Sequence, residues 1–283
     1  MKQRVISGVL WGLVAILTLV LMWSRLMEFL VSIFCTIAVY EILKVTGVKN
    51  IALKAVGLVV ACAFPLISEY HVLEKYNVPI GPVFAIYVIV LLSLMLLFYE
   101  KTRFEHVAVT AFTSLAIPYA FSCFMLVRDI YKEFPDTFGK PQSVFLLLIG
   151  LSCSWMTDAF AYLIGFKFGK HKMSPKISPK KSYEGAAGGL VLTAVLNVIF
   201  LAVFNKFFFK SHLISYTLLI VLSFFLSVIG MLGDLSASAI KRNYGVKDFG
   251  KIMKGHGGVM DRFDSSVFVM PALYAIIVIS QRI

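Results

Sequence analysis

The sequence predicts an all-α, polytopic integral membrane protein with about nine transmembrane helices and a cytoplasmic N-terminus. Three observations predict it. Apolar residues make up 59% of the 283-residue chain and charged residues only 15%, whereas a soluble domain carries about a quarter. The apolar residues gather in runs, and about 20 such residues in a helix span a hydrocarbon core. The basic residues behind the +12 net charge fall mostly in alternate loops, as they do in the cytoplasmic loops of membrane proteins.

The runs are 5–23, 29–43, 55–68, 78–99, 107–127, 143–166, 185–205, 213–233 and 265–280. The first follows Lys2 and Arg4, as a signal peptide would. Its apolar run is too long for a signal core and no small-residue cleavage site follows, so it reads as a retained helix. The second and third are short, and Glu41 interrupts the second. The sixth carries Asp158. With nine spans, the segments on the N-terminal side of the membrane hold 19 of the 27 Lys and Arg residues, which makes that side cytoplasmic. The chain divides into an N-terminal set of helices, 1–140, and a C-terminal region, 141–283, with the polar loops 167–184 and 234–264. Cys35, Cys62, Cys123 and Cys153 are far apart inside apolar runs. They read as small buried hydrophobes and not as a disulfide or metal framework.

The second polar loop concentrates the chemistry. Residues 226–242 read as one helix that turns from apolar to polar near Asp234. An acid there either marks the membrane surface or faces a cavity or a cation. Lys241, Arg242, Lys247 and Asp248 follow, then KGHGGVMDRFD at 254–264. Gly257 and Gly258 let backbone N–H groups approach a ligand. A helix beginning near Gly258 puts Asp261 and Asp264 on one face. Such a pair can hold a hard cation such as magnesium, or simply suit the positive end of a helix. Arg262 offers a planar fork for phosphate. His256 reads as a phosphate hydrogen-bond donor or a loop organiser; no second histidine is placed to complete a zinc site.

The segment 238–264, SAIKRNYGVKDFGKIMKGHGGVMDRFD, resembles the signature of the phosphatidate cytidylyltransferase (CDP-diacylglycerol synthase) family. Ser238, Lys241, Arg242, Lys247, Asp248, His256, Gly257, Gly258, Asp261, Arg262 and Asp264 match at the family's spacing. Lys254 stands where the family usually has proline, and Met253 where it has Ile or Leu. The run ISPKKSYEG at 177–185 is similar to the family's Ser-Pro-Lys-Lys-Thr-x-Glu-Gly, with Ser182 for Thr. DAFAY at 158–162 and Gly233-Asp234-Leu235 match two further elements.

The resemblance implies a magnesium-dependent, dimeric membrane enzyme that converts CTP and phosphatidic acid to CDP-diacylglycerol and pyrophosphate, with 141–283 as its catalytic region. It implies a cell (plasma) membrane location with the active site facing the cytoplasm. It makes Asp234 and Asp261 metal ligands, with Asp158 a third candidate that is also read as a lysine partner or a helix-break cap. A potassium ion beside the magnesium belongs to the same expectation. Lys180, Lys181, Lys241, Arg242, Asp248, His256 and Asp264 fall among the catalytic positions. Ser178, Lys247, Gly257, Gly258 and Arg262 fall among the substrate-binding ones. The net charge then serves phosphates and lipid head groups and not nucleic acid. A transporter using Asp158 and Asp234 as ion sites would show symmetric halves, and none is visible. A CTP-using lipid kinase is the nearer rival.

Overall fold

The computed structural model describes residues 20–208, 214–252 and 257–282. The expected span 5–23 therefore lies almost wholly outside the described residues. Seven described helices are long and apolar enough to cross a membrane: α1 Leu26–Val45, α2 Ile51–Glu69, α3 Ile80–Leu97, α4 Phe104–Arg128, α5 Lys140–Phe168, α6 Tyr183–Phe207 and α7 Tyr216–Asn243. A shorter apolar helix, α8 Ser266–Arg282, closes the chain. The protein is a helical, multi-pass membrane protein.

The backbone forms two compact units, each drawn from two stretches of chain. The first comprises Met1–Ser122 with Asn243–Arg262, the second Cys123–Arg242 with Phe263–Ile283.

In the first unit the two short apolar runs become full helices of 20 and 19 residues. α2 starts early because Asn50 caps it: Oδ1 accepts from the N–H of Ala52 (2.9 Å) and Leu53 (3.2 Å). Such a cap satisfies donors that a helix start leaves open. The Asn50 side chain also donates to Thr102 Oγ1 at 2.8 Å. Small residues bring helices close. A Cβ on Gly57 would lie 2.7 Å from the Thr110 side chain of α4. Glu28 and Glu41 of α1 are both buried; Glu28 accepts a hydrogen bond from the Tyr70 hydroxyl. α3 is apolar all round, and only Tyr87 and Leu91 are buried. Such a helix is stable facing lipid. Cys35, Cys123 and Cys153 are buried as expected, but Cys62 is exposed. Its sulfur nevertheless accepts from the Ser32 hydroxyl of α1 at 3.3 Å.

The second unit is built on α5 and α6. Ser152–Met156 form a π-helical turn inside α5, immediately before the turn that carries Asp158. The extra residue re-aims the rest of the helix, a common use of such bulges. The loop expected at 167–184 is ordered as an antiparallel hairpin, β1 Lys172–Ser174 with β2 Ser178–Ser182. Ser182 then caps α6 by accepting from the N–H of Gly185 at 3.2 Å. The α5–α6 contact is a seam of small residues. A Cβ on Gly185 would meet the Ala161 carbonyl at 2.6 Å, and one on Gly189 the Thr157 carbonyl at 2.7 Å.

A buried polar cluster joins α5, α6 and α7. Asn197 accepts from Ser152 and donates to Ser223 Oγ at 2.9 Å. Thr157 Oγ1 is 3.0 Å from Thr193 Oγ1 and donates to Ser227 Oγ at 2.8 Å. Between membrane helices without a hydrophobic driving force, close packing and such bonds supply the association.

Gly189→Val drives a branched side chain into the α5 backbone. It is expected to cost about 1–3 kcal/mol and to lower the melting temperature of the protein in detergent. A wild-type melting temperature would contradict the close approach.

Candidate active site

In the second unit four acidic or basic side chains from separate elements meet at the polar ends of the helices. Asp158 comes from α5, Lys181 from β2, Asp234 from α7 and Asp264 from the turn before α8. The Lys181 ammonium forms an ion pair with Asp234 and lies 3.9 Å from Asp158 Oδ1. Asp158 Oδ2 accepts from Ser265 Oγ at 2.8 Å. Ser238, one turn beyond Asp234, has its hydroxyl 3.4 Å from Asp234 Oδ1. Gly233 is needed here because a Cβ would lie 2.7 Å from the Asp264 carbonyl.

Asp264 accepts from the Ser265 N–H at 2.9 Å and has Lys241 3.9 Å from its other oxygen. Burial pushes the Asp264 carboxyl well above the usual carboxylate range; Asp234 pushes it the same way, and Lys241 opposes them. The neutral form of the Asp264 carboxyl is thereby favoured beside Asp158, Lys181 and Asp234.

A cavity of about 230 Å³ opens beside these groups, lined by Asp158, Tyr162, Ser178, Lys180, Lys181 and Asp234, with Met173 and Met231 among its apolar walls. Arg242 Nε donates to the Ile177 carbonyl at 3.2 Å, tying the end of α7 to the hairpin. Glu184 fixes the hairpin's base: it accepts from the N–H of Lys170 and His171 at 3.2 Å and pairs with His171 Nδ1 at 2.6 Å. Neither Glu184 nor His171 is among the residues that the sequence pattern assigns to the site. Lys180 is exposed at the hairpin surface and Lys241 is buried.

The first unit holds the other half of the signature. Lys247 and Asp248 are exposed in the turn after α7, and Arg262 is half-buried. Gly257 has φ +85°, in the left-handed region that disfavours other residues. His256 lies outside the described residues. The helix expected near Gly258 is a single turn, Met260–Phe263, and Asp264 lies past its end. The two acids therefore take different partners instead of sharing one face. Asp261 Oδ2 accepts from the N–H groups of Phe249 (2.8 Å), Gly250 (3.4 Å) and Gly258 (2.9 Å). The Gly258 N–H, expected to face a ligand, is turned inward to Asp261. Glu41 of α1 also holds this loop, accepting from the N–H of Val259 and Met260, although the sequence shows it only as an interruption of an apolar run.

Among the described residues no group of three or more His, Cys, Asp and Glu forms a metal cage. Magnesium does not require one. It takes one or two carboxylates and completes its shell with phosphate oxygens and water. Asp158 and Asp234 fit that donor set, and the Lys181 ammonium beside both shows that the place accepts positive charge.

Comparisons with known proteins define the class. Residues 2–280 match the model of the "Cytidylyltransferase family". The chain is 35% identical over 276 residues to a phosphatidate cytidylyltransferase of Bacillus subtilis (strain 168), covering 97% of this chain and 96% of that one. It is 31% identical over 278 residues to the enzyme of the same name from Staphylococcus haemolyticus (strain JCSC1435), covering 98% and 99%. It is also 31% identical over 281 residues to that of Staphylococcus aureus (strain COL), again covering 98% and 99%. The chain belongs to the cytidylyltransferase family and is a nucleotidyltransferase.

Lys181→Met leaves Asp158 and Asp234 without their shared cation. The side chains are about one-fifth to one-third exposed, so the expected cost is about 1–3 kcal/mol, below that of a fully buried pair. Magnesium should restore most of the lost melting temperature. An equal loss with and without magnesium would remove the cation reading of these acids.

Proposed function

We propose that the protein transfers the cytidylyl group of CTP to phosphatidic acid, giving CDP-diacylglycerol and pyrophosphate for phospholipid synthesis. The observation that carries this is the clustering of Asp158, Lys181 and Asp234 around a cavity at the polar ends of apolar helices, in a chain of this family. A phosphate oxygen of the lipid attacks the α-phosphorus of CTP, the bond to the β-phosphate oxygen breaks, and pyrophosphate leaves. The nucleophile is already anionic at neutral pH, so no serine, cysteine or general base is needed to activate it. The obstacle is repulsion between two anions. Catalysis then lies in neutralising charge and holding the reactants in line.

Asp234 and Asp158 hold the magnesium in this proposal, with Asp264 beside them. Bound there, the ion would polarise the α-phosphate and stabilise the leaving pyrophosphate. Lys180 and Ser178 face the same cavity and hold the phosphates from the hairpin side. Lys181, which lines the cavity beside both carboxylates, would offer its positive charge to the phosphates. Lys241 and Arg242 spread the developing charge from the end of α7. In the first unit Gly257, Gly258, Arg262, Lys247, Asp248 and His256 are assigned to the nucleotide, and Asp261 to the metal or to the loop that serves it. Potassium is assigned as an accompanying ion.

The apolar helices supply the lipid substrate from the bilayer, and CTP comes from solution. The polar helix ends are assigned to the cytoplasmic face of the plasma membrane, in a homodimer of nine-span chains. The supporting observation is that 19 of 27 basic residues fall on that side.

Purified protein in detergent with magnesium, phosphatidic acid and cytidine-labelled CTP should place the label in lipid. Release of labelled CDP instead would indicate a lipid kinase. Asp234→Asn should lower the rate by at least about 100-fold, as loss of a group aimed at transition-state charge does, with an unchanged elution profile. Full activity in that variant would remove the metal assignment.

A further inference from the structure

We propose that Glu41, far from the signature in sequence, is a positioning residue that fixes residues 249–250 and 257–260 for CTP. The proposal rests on the reading that this loop meets the nucleotide. Glu41 lies in the penultimate turn of α1 and is 3% exposed. Its Oε1 accepts from the N–H of Val259 at 3.2 Å and its Oε2 from that of Met260 at 3.0 Å. The carboxylate also lies flat against two glycines of the loop. A Cβ on Gly250 would come within 1.9 Å of Oε1, and one on Gly258 within 2.2 Å.

Asp261 closes the same loop from within by taking the N–H groups of Phe249, Gly250 and Gly258. Two carboxylates thus bind five peptide N–H groups, those of residues 249, 250, 258, 259 and 260. Gly258 is one of these residues, Gly257 adjoins them, and Arg262 follows Asp261. A buried acid in an apolar helix is costly and is found where it has specific partners. Here the two hydrogen bonds to the Glu41 carboxylate among the described residues come from this loop. The two glycines are explained by the same contact, since a side chain at either would strike the carboxylate.

The test uses full-length protein in detergent. In Glu41→Ala, hydrogen exchange at Val259 and Met260 should rise by about tenfold or more, since those amides lose their acceptor. The KM for CTP should rise by about tenfold or more, as loss of hydrogen bonds to a charged group implies. The KM for phosphatidic acid should stay within about twofold, a split that general loss of structure does not give. Glu41→Gln keeps one acceptor and should fall between, which covers the case that the alanine variant does not fold. Gly258→Ala should reproduce the CTP effect, and the double variant should be little worse than either, because both break one contact. Wild-type exchange in the loop of Glu41→Ala, or KM values that rise together for both substrates, would overturn the proposal. CTP should also protect the loop from exchange in the wild type and not in Glu41→Ala. That readout needs no turnover, so a wild type that forms no CDP-diacylglycerol would sink the assigned reaction and leave the role of Glu41 to be judged by exchange.

Discussion

The second unit depends on one electrostatic arrangement: a single ammonium group, that of Lys181, held between the carboxylates of Asp158 and Asp234. Charged groups brought out of water must be paired or solvated. Here the partners come from α5, the hairpin and α7, so the ends of three elements must converge for any one of them to be tolerated. The hairpin is fixed for the same purpose. Glu184 and His171 hold its base and Arg242 holds its turn, which keeps Lys181 in the lining of the cavity.

The packing below makes that convergence possible. The seam of glycine and alanine between α5 and α6 allows close approach, and the Asn197 cluster sets the register of α5, α6 and α7. Neither contributes a charged group to the site. Both decide where Asp158 points, since the π-helical turn, Thr157 and Asp158 succeed one another along α5. In the first unit the corresponding work is done by hydrogen bonds from peptide groups to acids. The same residue type therefore serves as a charge at one end of the signature and as a backbone clamp at the other.

Much of this is legible in the sequence. Hydropathy locates the eight described apolar helices, and the spacing of Lys, Asp and Gly in 238–264 locates the signature. The start of α2 is harder to place, because the Asn50 cap outweighs Lys54, which is tolerated within the helix. The hairpin is hidden because three- and five-residue strands rich in lysine carry no periodic signal. The role of Glu41 has no sequence signal of its own. Nothing near it in the chain predicts a partner more than 200 residues away, and only two glycines with no apparent turn to make hint that something lies close. The shared face of Asp261 and Asp264 fails for a related reason: backbone N–H groups of the loop compete for Asp261, and spacing alone cannot show them.

The outward-facing helix α3 has a mechanical consequence. Eighteen residues at ~1.5 Å rise make it ~27 Å long, shorter than a typical ~30 Å hydrocarbon core. With so little of its surface packed on protein, a helix of this length meets such a core by local thinning of the bilayer, by flanking side chains reaching outward or by association with another helix.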